Sequence, residues 1–346
     1  MKKSTKKHIN IPIFIPHLGC PNMCVFCNQR TISGRQEFDI STVEKEIETA
    51  LATIDTEHSC VEIAFFGGSF TGIDRSLMVD LLKIAKRFIS DGRVHSVRCS
   101  TRPDYIDEEI LSILEKYCVK TIELGIQSTS DGVLLASKRG HTSLDTEKAC
   151  RVIVDSGFNL VGQMMVGLPS ATIDDELKTA EFICKMGATG ARIYPTVVFN
   201  DSELKFMCEN EAYNPLTVDE AVDRTKEVMK VFILHGVDII RVGLCSSDNL
   251  VSDDTYYAGP NHVAIRELCE GEIYFDSIIS ALDNKNVDFN KKPLLIRVPR
   301  GEVSKVCGHN KRNKTKIKEK YGISRIAFEE CDMPKYHISV DILDKE

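Results

Sequence analysis

The sequence predicts an α/β protein: a partial or complete (β/α) barrel with a small α+β appendage toward its C-terminal end. Three observations carry this. Strand-like and helix-like segments alternate for about 240 residues in at least six βα units, which points to a parallel sheet. Motifs rich in Gly, Arg and Gln fall just past the strands, where such sheets build their sites. A polar stretch, Asp283–Lys292, then precedes a second set of elements.

Taken in order, residues 9–16 read as a strand. Ser41-x-x-Glu44 matches a capping box and opens a helix with Val43, Ile47, Leu51 and Ile54 on one face. Val61–Phe66 is a short apolar strand, and residues 74–89 repeat Leu77, Leu81, Ile84 and Phe88 at helical spacing. Val94–Ser100, Val119–Gly125, Phe158–Met165 and Gly190–Tyr194 read as further strands, with helices near 107–116, 143–156 and 172–186 between them. A helix at 217–235 and a strand at 237–242 complete the barrel pattern. After the polar stretch, 293–299 reads as strand, 311–321 as helix, and 323–329 and 336–342 as strands. The expected organisation is a barrel core over 1–245, a barrel extension and linker over 246–290, and a small basic α+β appendage over 291–346. The appendage is too small to fold comfortably alone.

Composition excludes several classes. The chain has 346 residues, 42% apolar and 27% charged, close to a soluble globular average, so collagen, coiled coil and disorder are excluded. No apolar run reaches the roughly 18 residues of a membrane span. The basic start and the apolar Ile9–Pro16 mimic a signal peptide. However, Asn10, Pro12, Pro16 and His17 interrupt the apolar core and no small-x-small site follows, so export is not expected. Thirteen scattered cysteines, an odd number, fit a reducing cytoplasm better than a disulfide framework. The net charge of −7 hides an asymmetry. Residues 291–325 hold twelve Lys and Arg against two Glu, a basic segment on an acidic body.

The sharpest feature is Cys20-Pro-Asn-Met-Cys24-Val-Phe-Cys27. At this cysteine frequency about 0.02 such triplets are expected by chance. Spacing this tight lets three thiolates from one loop meet one soft centre, zinc or iron–sulfur rather than magnesium or calcium. A closed zinc site and a cubane both ordinarily take four ligands. The fourth is missing from the loop, so a cubane here would leave one iron open to a small chelating molecule. Zinc completed by His17 or a distant Cys, an electron-transfer cluster completed by a remote Cys, and incidental thiols are the alternatives. The other ten cysteines show no second cluster spacing.

Motifs follow the strands in turn. Gly67-Gly68-Ser69 allows backbone to approach a ligand closely. Ser100-Thr101-Arg102-Pro103-Asp104 presents polar and charged groups. Gln127, in Glu123-Leu-Gly-Ile-Gln127-Ser128, is an amide suited to a polar ligand, as is Gln163 in Gln163-Met-Met-Val-Gly-Leu-Pro169. Arg139-Gly-His-Thr142 offers a guanidinium fork. Arg192-Ile-Tyr194-Pro-Thr196 ends the sixth strand.

Cys20, Cys24, Phe26 and Cys27 resemble the C-x3-C-x-aromatic-C loop of radical S-adenosylmethionine (SAM) enzymes. The resemblance implies a partial (β/α)6-type radical SAM barrel in which three Cys hold a 4Fe–4S cluster whose fourth iron is chelated by SAM. An electron then cleaves SAM to methionine and a 5′-deoxyadenosyl radical. It implies a ferredoxin- or flavodoxin-type reductant as partner. It also implies that Gly67, Gly68 and Ser69 receive the SAM amino group, that Arg139 meets its carboxylate, that Gln163 reaches a ribose hydroxyl, and that Phe26, Ser100, Arg102 and Gln127 contribute to the same cofactor. Thr101–Tyr105, Glu123–Ser128, Arg139–Thr142, Met164–Pro169 and Ile193–Thr196 together resemble the radical SAM domain of the Elongator catalytic subunit over roughly residues 9–245. That subunit acts on uridine at the tRNA wobble position. Two departures stand out. The Elongator subunit has a longer gap between its first two cluster cysteines. The roughly 100 residues after Leu244 carry no G-x-G-x-x-G-type acyl-CoA loop, so acetyl transfer by this chain alone is not expected.

Lys305, Lys311, Arg312, Lys314, Lys316 and Lys318 are candidate nucleic-acid residues. Their setting, Cys307-Gly308-His-Asn-Lys311 between helices, resembles a KH module, although Lys311 stands where the second glycine of a Gly-x-x-Gly clamp belongs. Cations in a stripe bind phosphate by counterion release; a solvated helix face is the competing reading. The expected function is radical SAM chemistry on RNA, most plausibly tRNA. The alternatives are a radical SAM enzyme on a small molecule such as a tetrapyrrole, and a non-catalytic cluster or tetrapyrrole carrier.

Overall fold

Alternating runs of β-branched residues and amphipathic stripes become alternating strands and helices. The computed structural model describes residues 7–15, 18–20, 24–27, 38–244, 255–285 and 287–343. Strand β1 (Lys7–Ile15) leads to α1 (Val43–Leu51), β2 (Ser59–Gly67), α2 (Arg75–Ser90), β3 (Ser96–Thr101) and α3 (Glu108–Lys116). Then follow β4 (Val119–Gln127), α4 (Asp131–Ala136), α5 (Ser143–Asp155), β5 (Asn159–Val166), α6 (Ile173–Lys185) and β6 (Gly190–Pro195). A short β7 (Val198–Phe199), α7 (Glu203–Glu209) and α8 (Val218–Leu234) precede β8 (Asp238–Val242) and β9 (Tyr256–Ala258).

Seven strands pair in the order β1-β2-β3-β4-β5-β6-β8, all parallel. Each strand lies beside its predecessor and the order never reverses. That is barrel winding, not the reversal of a doubly wound sheet. β1 and β8 do not pair, so the sheet curls into an open half-barrel. It has one parallel strand more than the six of the family-based expectation. β7 leaves the series to pair antiparallel with β9.

The two faces of the sheet are chemically different. On the helix side Ile11, Ile13, Ile15, Val61, Ile63 and Phe65 are fully buried. Gly162 in β5 also faces that side: a Cβ there would come within 2.6 Å of Ile183 in α6. The alternate residues, one pleat along, carry Glu62, Arg98, Glu123, Gln163 and Arg192 to the inner face.

Helix termini differ from expectation at one place. Ser41 and Glu44 form no capping box. Instead Asp39 caps a one-turn 3-10 helix, Ile40–Thr42, by accepting from the Ser41 amide at 2.9 Å, and Thr42 precedes α1 with its hydroxyl on Glu46. The extra tight turn moves the cap out of register by one residue. True capping boxes close α5 at Thr142 and Asp145 and α6 at Thr172 and Asp175.

The chain divides into two compact units, one of Met1–Pro215 with Val231–Gly259 and one of Leu216–Lys230 with Pro260–Glu346. In the second, α9 (Ile265–Asp283), β10 (Pro293–Pro299), α10 (Val303–Cys307), α11 (Arg312–Tyr321), β11 (Arg325–Cys331) and β12 (Ser339–Ile342) follow in order. β10 is central, parallel to β11 and antiparallel to β12. The sequence assigns 246–290 to a barrel extension and linker; in the structure Ile265–Asp283 of that span is helix α9. Tyr274, Ile278 and Leu282 of α9 share one buried cluster with Leu294, Ile296, Val298, Val306, Ile317 and Val340. α9 thus shares the cover of the three strands with α10 and α11. Gly271 is where α9 meets the α10–α11 connection: Asn313 donates to its carbonyl at 2.8 Å, and a Cβ there would lie 3.1 Å from the Lys305 carbonyl oxygen.

Candidate functional site

The cysteine loop is anchored before it is functional. Val25 is fully buried with Val198 and Leu204, and Phe26 packs against that cluster. The Val25 amide donates to Ser137 O at 3.2 Å, and its carbonyl accepts from the Leu204 amide at 2.8 Å. A turn follows, Cys27 N to Cys24 O at 3.0 Å. Cys24 is buried and Cys20 and Cys27 are half-buried.

Gly67-Gly68-Ser69 fastens the other end of this loop. The Gly68 amide donates to Ile15 O at 2.8 Å and the Ser69 amide to Leu18 O at 3.2 Å. Both glycines of the contact are obligatory. A Cβ on Gly68 would lie 2.1 Å from the Leu18 carbonyl oxygen, and one on Gly19, at φ +75°, would lie 2.2 Å from the Ser69 carbonyl oxygen. Ser69 Oγ meets Thr101 Oγ1 at 2.9 Å, tying β2's end to β3's.

Two arginines lie beneath the thiols. Arg139 is buried and donates Nη1–H to Cys24 Sγ at 3.6 Å and Nη2–H to Gly125 O at 2.7 Å. Arg102 forks onto Asp104 with two contacts of 2.8 Å, and Nη2 also donates to the Arg139 carbonyl at 2.8 Å. Burial pushes the Cys20 thiol pKa up; the Arg139 and Arg102 charges and the Ser69 amide pull it partly back. His141, 5% exposed beside these arginines, is driven down to about 4 by burial and by the Arg139 charge, so its imidazole is neutral.

Gln127 and Gln163 pair reciprocally, Nε2 to Oε1 at 2.9 Å one way and 2.8 Å the other. Gln127 sits at φ +67° where the β4–β5 register shifts between Gly125 and Gln127. A bulge re-aims a side chain at a strand end, and left-handed backbone at a non-glycine residue is strain held for a purpose. Each amide, by its donor and acceptor inventory, keeps one N–H and one oxygen lone pair for a ligand. Ser100 Oγ donates to Phe65 O at 3.4 Å on the neighbouring strand.

A chain of charges, which the motifs alone did not reveal, crosses the inner face. His8 meets Glu62 at 2.7 Å, Arg98 bridges Glu62 at 2.9 Å and Glu123 at 2.7 Å, and Arg192 meets Glu123 at 2.7 Å. Burial alone would raise the Glu62 carboxyl; the Ser96 hydroxyl, Arg98 and His8 outweigh it and hold it below its usual range. Tyr194 accepts from Arg192 Nη1 at 3.4 Å, and burial raises its phenol. The signal was present in sequence as single charges at alternate positions of apolar strands.

The residues fit a cluster. Among the described residues no three His, Cys, Asp or Glu side chains converge to hold one metal ion. A cubane asks for something else, because its three protein thiolates go to three different irons. The thiols supply soft donors, and Arg102 Nη1 and Arg139 Nε are buried with no partner, N–H groups that a polyanionic inorganic centre would satisfy. His17 lies outside the described residues.

Comparison with known proteins decides the family. The family model of the radical SAM superfamily matches residues 14–183, and that of the radical SAM C-terminal domain matches residues 188–274. The chain belongs to the radical SAM superfamily. Its members are enzymes that use a 4Fe–4S cluster and SAM. The chain is 29% identical over 158 residues to the tRNA uridine(34) acetyltransferase of Methanocaldococcus jannaschii, covering 45% of this chain and 29% of that one. It is 26% identical over 136 residues to Elongator complex protein 3 of Saccharomyces cerevisiae, covering 38% and 24%. The chain thus spans under a third of these radical SAM relatives. The solved structure of Elp3 from Methanocaldococcus infernus, with an N-terminal deletion, superimposes with a TM-score of 0.60 at 19% identity, over 78% of this chain and 63% of that one. This shows the shared radical SAM fold. No helix among the described residues is long and apolar enough to cross a membrane.

The basic segment is partly spoken for. Lys305 turns inward to Glu270 at 2.8 Å and Glu302 at 2.9 Å. Arg312 pairs with Asp219 at 3.3 Å, Lys316 with Glu272 at 3.9 Å, and Lys314 lies over the Phe328 ring. Among the described residues Lys311 and Lys318 pair with no carboxylate. Lys311 holds φ +62° after Asn310 at +52°, so the loop takes at Lys311 the left-handed backbone that glycine would supply.

Proposed function

We propose that this chain is a radical SAM enzyme that cleaves SAM reductively at a 4Fe–4S cluster on Cys20, Cys24 and Cys27 and acts on tRNA in a reducing, cytoplasmic setting. The observation that carries the reading is the cysteine loop braced between Val25 and the Gly67–Ser69 turn, with Arg139 donating to the Cys24 sulfur and buried N–H groups of Arg102 and Arg139 left without partners. When bound, the cluster supplies one electron to the SAM sulfonium, giving methionine and a 5′-deoxyadenosyl radical. The protein's part is to hold and shield. The Gly68 and Ser69 amides are engaged by Ile15 and Leu18, so the carbonyls of the Gly67–Ser69 turn are assigned as acceptors for the SAM ammonium. The Gln127–Gln163 pair and Ser100 are assigned to its polar nucleoside edge. Phe26 and Arg102 act as braces, one in an apolar pocket and the other clamped on Asp104. The Glu62–Arg98–Glu123–Arg192 chain keeps the inner face polar and rigid.

The tRNA assignment draws on the printed activity of the acetyltransferase relative and on the basic strand–helix–loop–helix–strand order of β10 to β11. The acetyl transfer named for the tRNA uridine(34) acetyltransferase relative is not assigned to this chain. Purified protein is expected to bind tRNA with a steep salt dependence. Changing Lys311, Lys314 and Lys318 together to Gln should lower the slope of log affinity against log salt by about 2. Binding that ignores salt, or no binding, contradicts the tRNA reading and favours a small-molecule substrate.

A further inference from the structure

We infer that Arg139 is a positioning residue for the cluster: it donates to the Cys24 sulfur and sets how readily the cluster accepts an electron. The inference rests on the cluster reading above. Its geometry is specific. Both ends of the guanidinium fork are already used, Nη1 on Cys24 Sγ at 3.6 Å and Nη2 on Gly125 O at 2.7 Å. These two bonds fix the guanidinium toward Cys24 and Gly125 and leave Nε–H and the second hydrogen of each Nη for further acceptors. The remaining Nε is buried without a partner.

The surrounding structure is built to hold this pose. The Arg139 amide donates to Leu134 O at 2.9 Å, and the Arg139 carbonyl accepts from Arg102 Nη2 at 2.8 Å. Gly125 makes room for the side chain, since a Cβ there would lie 2.8 Å from Nη2. His141, neutral and two residues on, adds no competing charge. Arg139 is only 6% exposed, so its field at Cys24 is poorly screened by water.

The consequence follows from charge. A thiolate-ligated cluster gains a negative charge when reduced. A cation that also donates a hydrogen bond to one of its sulfurs stabilises the reduced form more than the oxidised one, and so raises the potential. Without Arg139 the cluster is harder to reduce, whether or not SAM is present.

The test is a redox titration followed by electron paramagnetic resonance on anaerobically reconstituted full-length protein without SAM, with iron content and SAM affinity measured alongside. Arg139→Gln is expected to move the one-electron reduction equilibrium about tenfold toward the oxidised form, about 59 mV to more negative potential. Arg139→Lys should fall between. If the Gln variant does not hold iron, Arg139→Lys and Gly125→Ala are read in the same titration, the latter because its methyl displaces Nη2. An unshifted midpoint in the variants that hold iron, or SAM affinity falling tenfold at an unchanged midpoint, overturns the inference. Failure of the cluster reading itself is separate: wild-type protein would then show no iron to titrate.

Discussion

Cys24→Ala protein is expected to emerge from anaerobic reconstitution without a stable cluster, against about four irons per chain for wild type. Removing one of three thiolates from a centre that already lacks a fourth leaves two protein ligands, too few to retain a cubane against chelators. Cys99→Ala is the matched control. Cys99 is fully buried in β3, and burial pushes its thiol up to about 12, so it is an inert proton-bearing thiol. Its variant should keep full iron content and lose only packing. Equal iron loss in both variants would mean that the iron reflects general folding and not the Cys20–Cys27 loop.

The second large effect concerns the buried charges. Glu123→Gln leaves Arg98 and Arg192 on the inner face without the carboxylate they share at 2.7 Å each. Removing one partner from a buried network costs about 3–5 kcal/mol, far more than a surface pair. Anaerobic urea denaturation should show a midpoint lowered accordingly at an unchanged m-value. A loss under about 1 kcal/mol would show that water, not Glu123, satisfies the two guanidinium groups. Because Glu123 lies two residues from Gly125 in β4, whose carbonyl holds Arg139, the same substitution tests whether the barrel interior and the cluster pocket are mechanically continuous.

Much of the fold was legible from periodicity. Val43, Ile47 and Leu51 recur at helical spacing and are buried in α1, and the strand at 61–66 became the centre of β2. The polar stretch 283–292 marked the gap between α9 and β10. What failed did so for identifiable reasons. Helix α9 was missed because Gly271 interrupts its pattern. That glycine is there for close approach to the Lys305 carbonyl, a tertiary requirement invisible along the chain. The short β7–β9 pair and α7 carry too few residues for a period to register.

The cysteine loop was readable because spacing alone is improbable, and the strand-end motifs because a barrel concentrates function there. The role of Arg139 could not be read from sequence. That its fork meets Cys24 depends on its close approach to Gly125 in β4, a tertiary contact. The inner-face charge chain was missed for a related reason: each charge sits alone in an apolar strand, and only parallel register brings Glu62, Arg98, Glu123 and Arg192 together. Register likewise decides the basic segment, where local acids neutralise several of the cations that stood out in sequence.

The most direct measurement is the electron paramagnetic resonance spectrum of the dithionite-reduced, reconstituted wild-type protein before and after SAM is added. The account predicts a 4Fe–4S signal that changes shape with SAM, followed by 5′-deoxyadenosine in the mixture. A protein that takes up one zinc and no iron, or a reduced-cluster spectrum that SAM leaves untouched, would contradict it.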